Sequence, residues 1–128
     1  MLRRVLVTFV FAQAFASAVA WACSCAGSDH SDDDAIFIGV PHATVRGCGG
    51  DMFSDHVTKF TVMDACRGDL GETVQVQHGI SGASCGVEFE PDVVTIVFAT
   101  ENEDGQLQTN LCMGNTPVSE PECEANGF

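Results

Sequence analysis

Thr73-Val74-Gln75-Val76-Gln77-His78 is the stretch on which the fold class turns. Its apolar and polar residues alternate with a period of two. An extended strand here therefore sends Val74 and Val76 to one side and Gln75 and Gln77 to the other. One face is dry and one is wet. Upstream, His56-Val57-Thr58-Lys59-Phe60-Thr61-Val62-Met63 alternates as well, and Ile36-Phe37-Ile38-Gly39-Val40, continuing to Val45, is β-branched and apolar. Gly47-Cys48-Gly49-Gly50-Asp51 and Arg67-Gly68-Asp69 with Gly71 supply the turns between them. Downstream, a Gly- and Ser-rich loop from Gly79 to Gly86 precedes Val93-Val94-Thr95-Ile96-Val97-Phe98-Ala99, which reads as a buried strand. Glu103-Asp104-Gly105-Gln106 has Asp-Gly hairpin chemistry, and Leu107 to Cys112 returns as the last strand. Five strands, short turns and no strong amphipathic helix predict a mainly β domain closed, or nearly closed, into a small barrel. Beyond Asn115, with Pro117 and Pro121, the chain reads as a loop-like tail with one helical turn within Glu120 to Asn126.

The N-terminus predicts the compartment. Met1-Leu2-Arg3-Arg4 is a positive start, and Val5 to Val19 is apolar apart from Thr8, Gln13 and Ser17. Small-residue sites follow at Ala16-Ser17-Ala18, Ala18-Val19-Ala20 and Ala20-Trp21-Ala22, the pattern of a secretory signal peptide. The run falls short of the roughly 20 residues that a membrane span needs. Cleavage after Ala22 is favoured over cleavage after Ala18 or Ala20, and it makes Cys23 the new N-terminus. A lipoprotein peptidase would cut at the same bond, but Trp21 and Ala20 make a poor site for one. The expected exported chain is secreted or periplasmic, with no membrane span once residues 1–22 are gone. Its only tryptophan, Trp21, would leave with the leader.

The formal charge is −13, and loss of Arg3 and Arg4 makes the exported chain more acidic still. Nucleic-acid binding needs the opposite sign and is disfavoured. Seven cysteines (23, 25, 48, 66, 85, 112 and 123) in so short an exported chain imply a disulfide framework. The odd count leaves one for a free thiol or for a disulfide-linked dimer. No C-x-x-C, P-loop or H-E-x-x-H occurs, and the chain is not expected to be an enzyme. Glu88 and Glu90 flank Phe89 and read as the solvent side of an extended segment rather than an acid–base pair. Ser28 to Asp34 lacks the order of a calcium loop. His30, His42, His56 and His78 are scattered, and they read as polar surface or loop residues.

The order of short motifs is more specific. Cys23-Ser24-Cys25 is followed by Phe37-x-Gly39, Phe60-x-Val62, Arg67-Gly68, Ser84-Cys85-Gly86 and Thr109-x-x-Cys112. Together, from Cys23 to about Thr116, these resemble the netrin-like domain found in the tissue inhibitors of metalloproteinases and in bacterial secreted relatives. The resemblance implies an OB-like five-stranded barrel over residues 23–116, with 117–128 as a C-terminal tail. It implies two bridges, Cys23 to Cys85 and Cys25 to Cys112. It assigns no place to Cys48 or Cys66, and Cys123 is a candidate end partner for a third bridge, although no cysteine lies between Cys25 and Cys48 to match the family's third pair.

In those inhibitors the amine and carbonyl of the N-terminal cysteine chelate the catalytic zinc of a protease. By resemblance, Cys23 would contact zinc in trans only, with no cofactor of the chain's own. Ser24 would face the protease's specificity pocket, with Cys25 and Ala26 continuing the strip and Gly82, Ala83 and Ser84 forming the neighbouring ridge. A zinc metalloprotease is then the implied partner. The same fold also serves as a non-inhibitory secreted binding module, and the residues leave both functions open.

Overall fold

β3, Thr73–His78, buries Val76 and His78 and half-buries Val74, while Thr73 and Gln75 are exposed, as the alternation predicts. It belongs to a computed structural model that describes residues 23–27, 29–47 and 54–128. The expected leader and Cys48 lie outside the described residues. The remaining strands are β1 (Ala35–Arg46), β2 (His56–Arg67), β4 (Thr95–Glu101), β5 (Leu107–Gln108) and β6 (Thr116–Pro117).

β1 pairs antiparallel with β2, and β2 antiparallel with β3. β3 pairs parallel with β5, β5 antiparallel with β4, and β4 antiparallel with β1, which closes a five-stranded barrel. β6 is added at Thr95 and Ile96, the start of β4. Among the described residues helix is confined to single 3-10 turns. The fold class is thus a mainly β, disulfide-stapled, five-stranded barrel.

The boundaries differ from expectation in three places. β2 runs to Arg67 rather than Met63, because its second half pairs with the buried half of β1 from Ile36 to Gly39. β4 begins at Thr95 rather than Val93. The strand that begins at Leu107 stops at Gln108, not Cys112. There the Thr109 hydroxyl donates to the Phe98 carbonyl at 2.6 Å, and Asn110 caps a 3-10 turn, Leu111–Met113.

Two apolar layers share β1 and β4. Inside the barrel, Ala35, Phe37, Phe60, Val76, Phe89, Val97, Ala99 and Leu107 form the core. Phe37, Phe60 and Phe89 meet edge to face, at centroid distances of 5.4 and 5.0 Å. Outside it, Ile36, Ile38, Ile96 and Phe98 pack with Cys123, Val94, Met113 and Val118. Alternate residues of β1 and β4 therefore point into different layers, which is why both strands are apolar almost without interruption. Each Val, Ile or Phe among them contributes about 1.5–3 kcal/mol on full burial.

Residues 117–128 join the outer layer through Val118 and Cys123. The Val118 amide donates to the Val94 carbonyl at 3.0 Å, and the expected helical turn is the 3-10 turn Glu124–Asn126. Cys123 is buried and bonded to Cys66 on β2. The Cys123 amide donates to Asp64 at 2.8 Å. Phe128 meets the Phe98 ring, against which His30 stacks at 3.8 Å.

His78 corrects the surface assignment of the histidines, because its side chain is fully buried. It occupies the same alternate register as Val74 and Val76. Its ring nitrogens pair with the Thr58 hydroxyl at 2.6 Å and the Gly79 carbonyl at 2.9 Å. Burial pushes its pKa below the ordinary histidine value, and the hydrogen bond to Gly79 opposes that shift.

Candidate functional site

Three segments converge at one place on the barrel: 23–27, the 3-10 turn Gly82–Ser84 with Cys85, and the Leu111–Met113 turn. Disulfides join Cys23 to Cys85 and Cys25 to Cys112, each with its Cα atoms 5.1 Å apart. These are the two pairs that the resemblance implies. Residues two apart in an extended segment point the same way, so a Cys-x-Cys can place both thiols against the barrel and turn Ser24 outward. Ser24, Cys25, Ala26 and Gly27 are exposed, and Cys23 is half-buried.

The two receiving turns are built locally. Amides of Ser84, Cys85 and Gly86 donate to the carbonyls of Ser81, Gly82 and Ser81, and Val87 N–H donates to Gly79. Cys85 sits in the left-handed region, with φ of 59°. Gly86 is required by space: a Cβ there would lie 2.5 Å from the Ser81 nitrogen. The second turn starts where Asn110 accepts from the Cys112 amide at 2.9 Å. Asn115 supports it, donating to Thr109 Oγ1 at 2.8 Å and to the Asn110 carbonyl at 3.1 Å. One bond ties the turns together, from the Leu111 amide to the Cys85 carbonyl at 2.9 Å.

The candidate residues Cys23, Ser24, Cys25 and Ala26 are thus set beside Gly82, Ala83 and Ser84. Exposed Leu111, absent from the sequence-based set, joins them through its bond to Cys85. Its signal was its place beside Cys112. A depression of about 320 Å³ is bordered by Ser84, Cys85, Gln108, Thr109 and Asn110. A groove of about 440 Å³ rimmed by Asp34, Asp69 and Glu101 contains none of the candidate residues.

The expectation that the chain carries no catalytic motif, a G-x-S-x-G elbow included, passed over Gly82-Ala83-Ser84-Cys85-Gly86, which has the spacing of a hydrolase nucleophile turn. That chemistry needs a base hydrogen-bonded to the serine. Ser84 Oγ instead donates to the Ser81 carbonyl at 3.1 Å, and Cys85 is committed to a disulfide.

The sulfurs of Cys23, Cys25 and Cys112 all lie within 4.8 Å of one another, which gathers three potential metal ligands among the described residues. The histidines and Asp32 to Asp34 are not gathered into such a group. Cys66 and Cys123 form the third bridge, so six of the seven cysteines are paired. Three disulfides accord with an oxidising compartment. Among the described residues no helix is long and apolar enough to cross a membrane. No known family model matches the chain. No characterised protein matches it in sequence.

Proposed function

We propose that the exported chain inhibits zinc metalloproteases, presenting its N-terminal Cys23 to the zinc of the target. The observation that carries this proposal is the double anchoring of the Cys23-Ser24-Cys25 strip, with Ser24 and Cys25 exposed and half-buried Cys23 bonded beside the Gly82–Ser84 turn. A catalytic zinc keeps an open coordination position. The amine nitrogen and carbonyl oxygen of one residue form a five-membered chelate on such a metal, displacing the attacking water. Holding the strip in place beforehand lowers the ordering cost of binding. Ser24, exposed between the anchored cysteines, enters the specificity pocket.

The amine ligates only when deprotonated. With an α-amino pKa of about 7.7–8.0, inhibition weakens by up to roughly tenfold for each pH unit below that value. The test is N-terminal sequencing of the exported chain, followed by titration against a panel of zinc metalloproteases. A free Cys23 amine and tight inhibition are expected. Acetylating that amine should abolish inhibition and leave the melting temperature unchanged. An extended or lipidated natural terminus, or inhibition that survives acetylation, would sink the proposal. A free terminus with no inhibition would leave the chain as a secreted binding module.

A further inference from the structure

We propose that the chain, when reduced, holds a zinc ion on Cys23, Cys25, Cys85 and Cys112, so that metal and disulfides compete for one set of sulfurs. Across the two bridges, Cys23 Sγ lies 3.6 Å from Cys112 Sγ. Sulfurs of a tetrahedral thiolate site, with Zn–S bonds of about 2.3 Å, stand about 3.8 Å apart. Cys25 Sγ is within 4.8 Å of both, and Cys85 Sγ, outside that group of three, is bonded to Cys23. Three sulfurs are thus gathered across the two bridges, and breaking the Cys23–Cys85 bond leaves the fourth beside them.

Much of the arrangement does not depend on the bridges. Cys85 is held by the amide bonds of its own turn, Cys112 by the Asn110 cap, and the two turns by Leu111 to Cys85. The third segment brings its ligands as a Cys-x-Cys pair with one residue between. Reduction of each bridge takes two electrons and two protons from a dithiol reductant, which leaves as its own disulfide. Zinc then displaces the thiol protons to solvent, since the thiolate is the ligand. Cys25 is exposed and its neighbours half-buried, whereas Cys123 is buried, so a reductant reaches these bridges before Cys66–Cys123. Every chain also passes through the reduced state before it is first oxidised. Zinc bound then would slow formation of both surface bridges. This proposal stands apart from protease inhibition, which uses the oxidised chain.

The test uses the exported chain reduced with excess phosphine under anaerobic conditions, with and without one equivalent of zinc. Iodoacetamide then labels the thiols in a timed pulse, and peptide mass spectrometry reads each cysteine. Zinc should slow labelling of Cys23, Cys25, Cys85 and Cys112 by about tenfold or more, and leave Cys48, Cys66 and Cys123 unchanged. Cobalt(II) in place of zinc should give thiolate charge-transfer bands and the visible absorption of a tetrahedral site. Cys112→Ser should weaken zinc binding by roughly 100-fold. Absence of protection, protection that includes Cys48, Cys66 or Cys123, or unchanged affinity in Cys112→Ser would each overturn the assignment. A reduced chain that unfolds and binds zinc elsewhere would fail the same footprint.

Discussion

The two surface bridges and the Cys66–Cys123 bridge use the same covalent bond for different ends. Cys23–Cys85 spans 62 positions in sequence and Cys66–Cys123 spans 57. The chain-entropy model gives loops of these sizes nearly the same stabilisation, about 4 kcal/mol each. Loop closure therefore does not distinguish them. Their surroundings do. Cys123 lies inside the outer apolar layer, and its bridge fixes residues 117–128 over Ile36, Ile38, Ile96 and Phe98. Cys23 and Cys25 hold a strip that buries little and displays much. One bridge completes a core, and the other two present a surface.

The largest expected effect comes from removing the buried bridge. In Cys66→Ala/Cys123→Ala the chain should lose the loop-closure term of about 4 kcal/mol and part of the outer-layer burial as well. Urea unfolding would read the loss, and increased binding of a hydrophobic dye would read the uncovered isoleucines. Cys23→Ser/Cys85→Ser should cost about 4 kcal/mol or less, with no gain in dye binding, yet should abolish any inhibition. Equal dye responses from the two double variants would break the comparison. It would mean that residues 117–128 stay docked without their bridge.

How much of this was legible in the sequence depends on how each residue is buried. Thr73 to His78 could be read because one face is wet, which leaves an alternating pattern. The same pattern placed His78 inside with Val74 and Val76, but its residue type argued for the surface. Only the Thr58 hydroxyl and the Gly79 carbonyl explain how it is accommodated. β1 and β4 could be read as buried, but not as shared between two layers, because a continuous apolar run does not say what covers each side. The cover itself carries few apolar residues, so 117–128 read as a tail. The Cys23–Cys85 and Cys25–Cys112 pairs came with the family resemblance and not from spacing. Cys66–Cys123 had no local signal, since its partners meet only once β2 and the C-terminal segment are packed.

His78 gives a smaller effect that loads the inner layer without touching any bridge. Its folded-state pKa lies below the ordinary value of about 6.5 because burial disfavours the charged ring. Above that value both states are neutral and its contribution is fully present. As pH falls below about 6.5 the unfolded chain takes a proton that the folded chain refuses. Stability then falls by up to about 1.4 kcal/mol per pH unit until the folded pKa is reached. Urea midpoints at pH 7.5, 6.5 and 5.5 would show the slope, and His78→Gln should flatten it. Identical slopes would remove His78 as the cause. Simultaneous release of the outer cover, read by dye binding, would show that the two layers unfold as one unit.

The smallest expected effect isolates the display side. Asn110 accepts from the Cys112 amide, and its carbonyl accepts from Asn115, so it shapes the turn that receives Cys25. Asn110→Ala removes the cap and should cost about 1 kcal/mol. Its backbone carbonyl persists, so the bond from Asn115 remains, and both apolar layers are left intact. The loss should therefore appear locally. Hydrogen exchange at the Leu111 and Cys112 amides should speed up, and the Cys25–Cys112 bridge should reduce faster. Exchange in β1 and β4, and reduction of Cys66–Cys123, should shift only by the global loss of stability. If Asn110→Ala instead accelerates reduction of Cys66–Cys123 as much as that of Cys25–Cys112, the displayed strip and the buried cover share one cooperative unit, and the division of labour between the bridges fails.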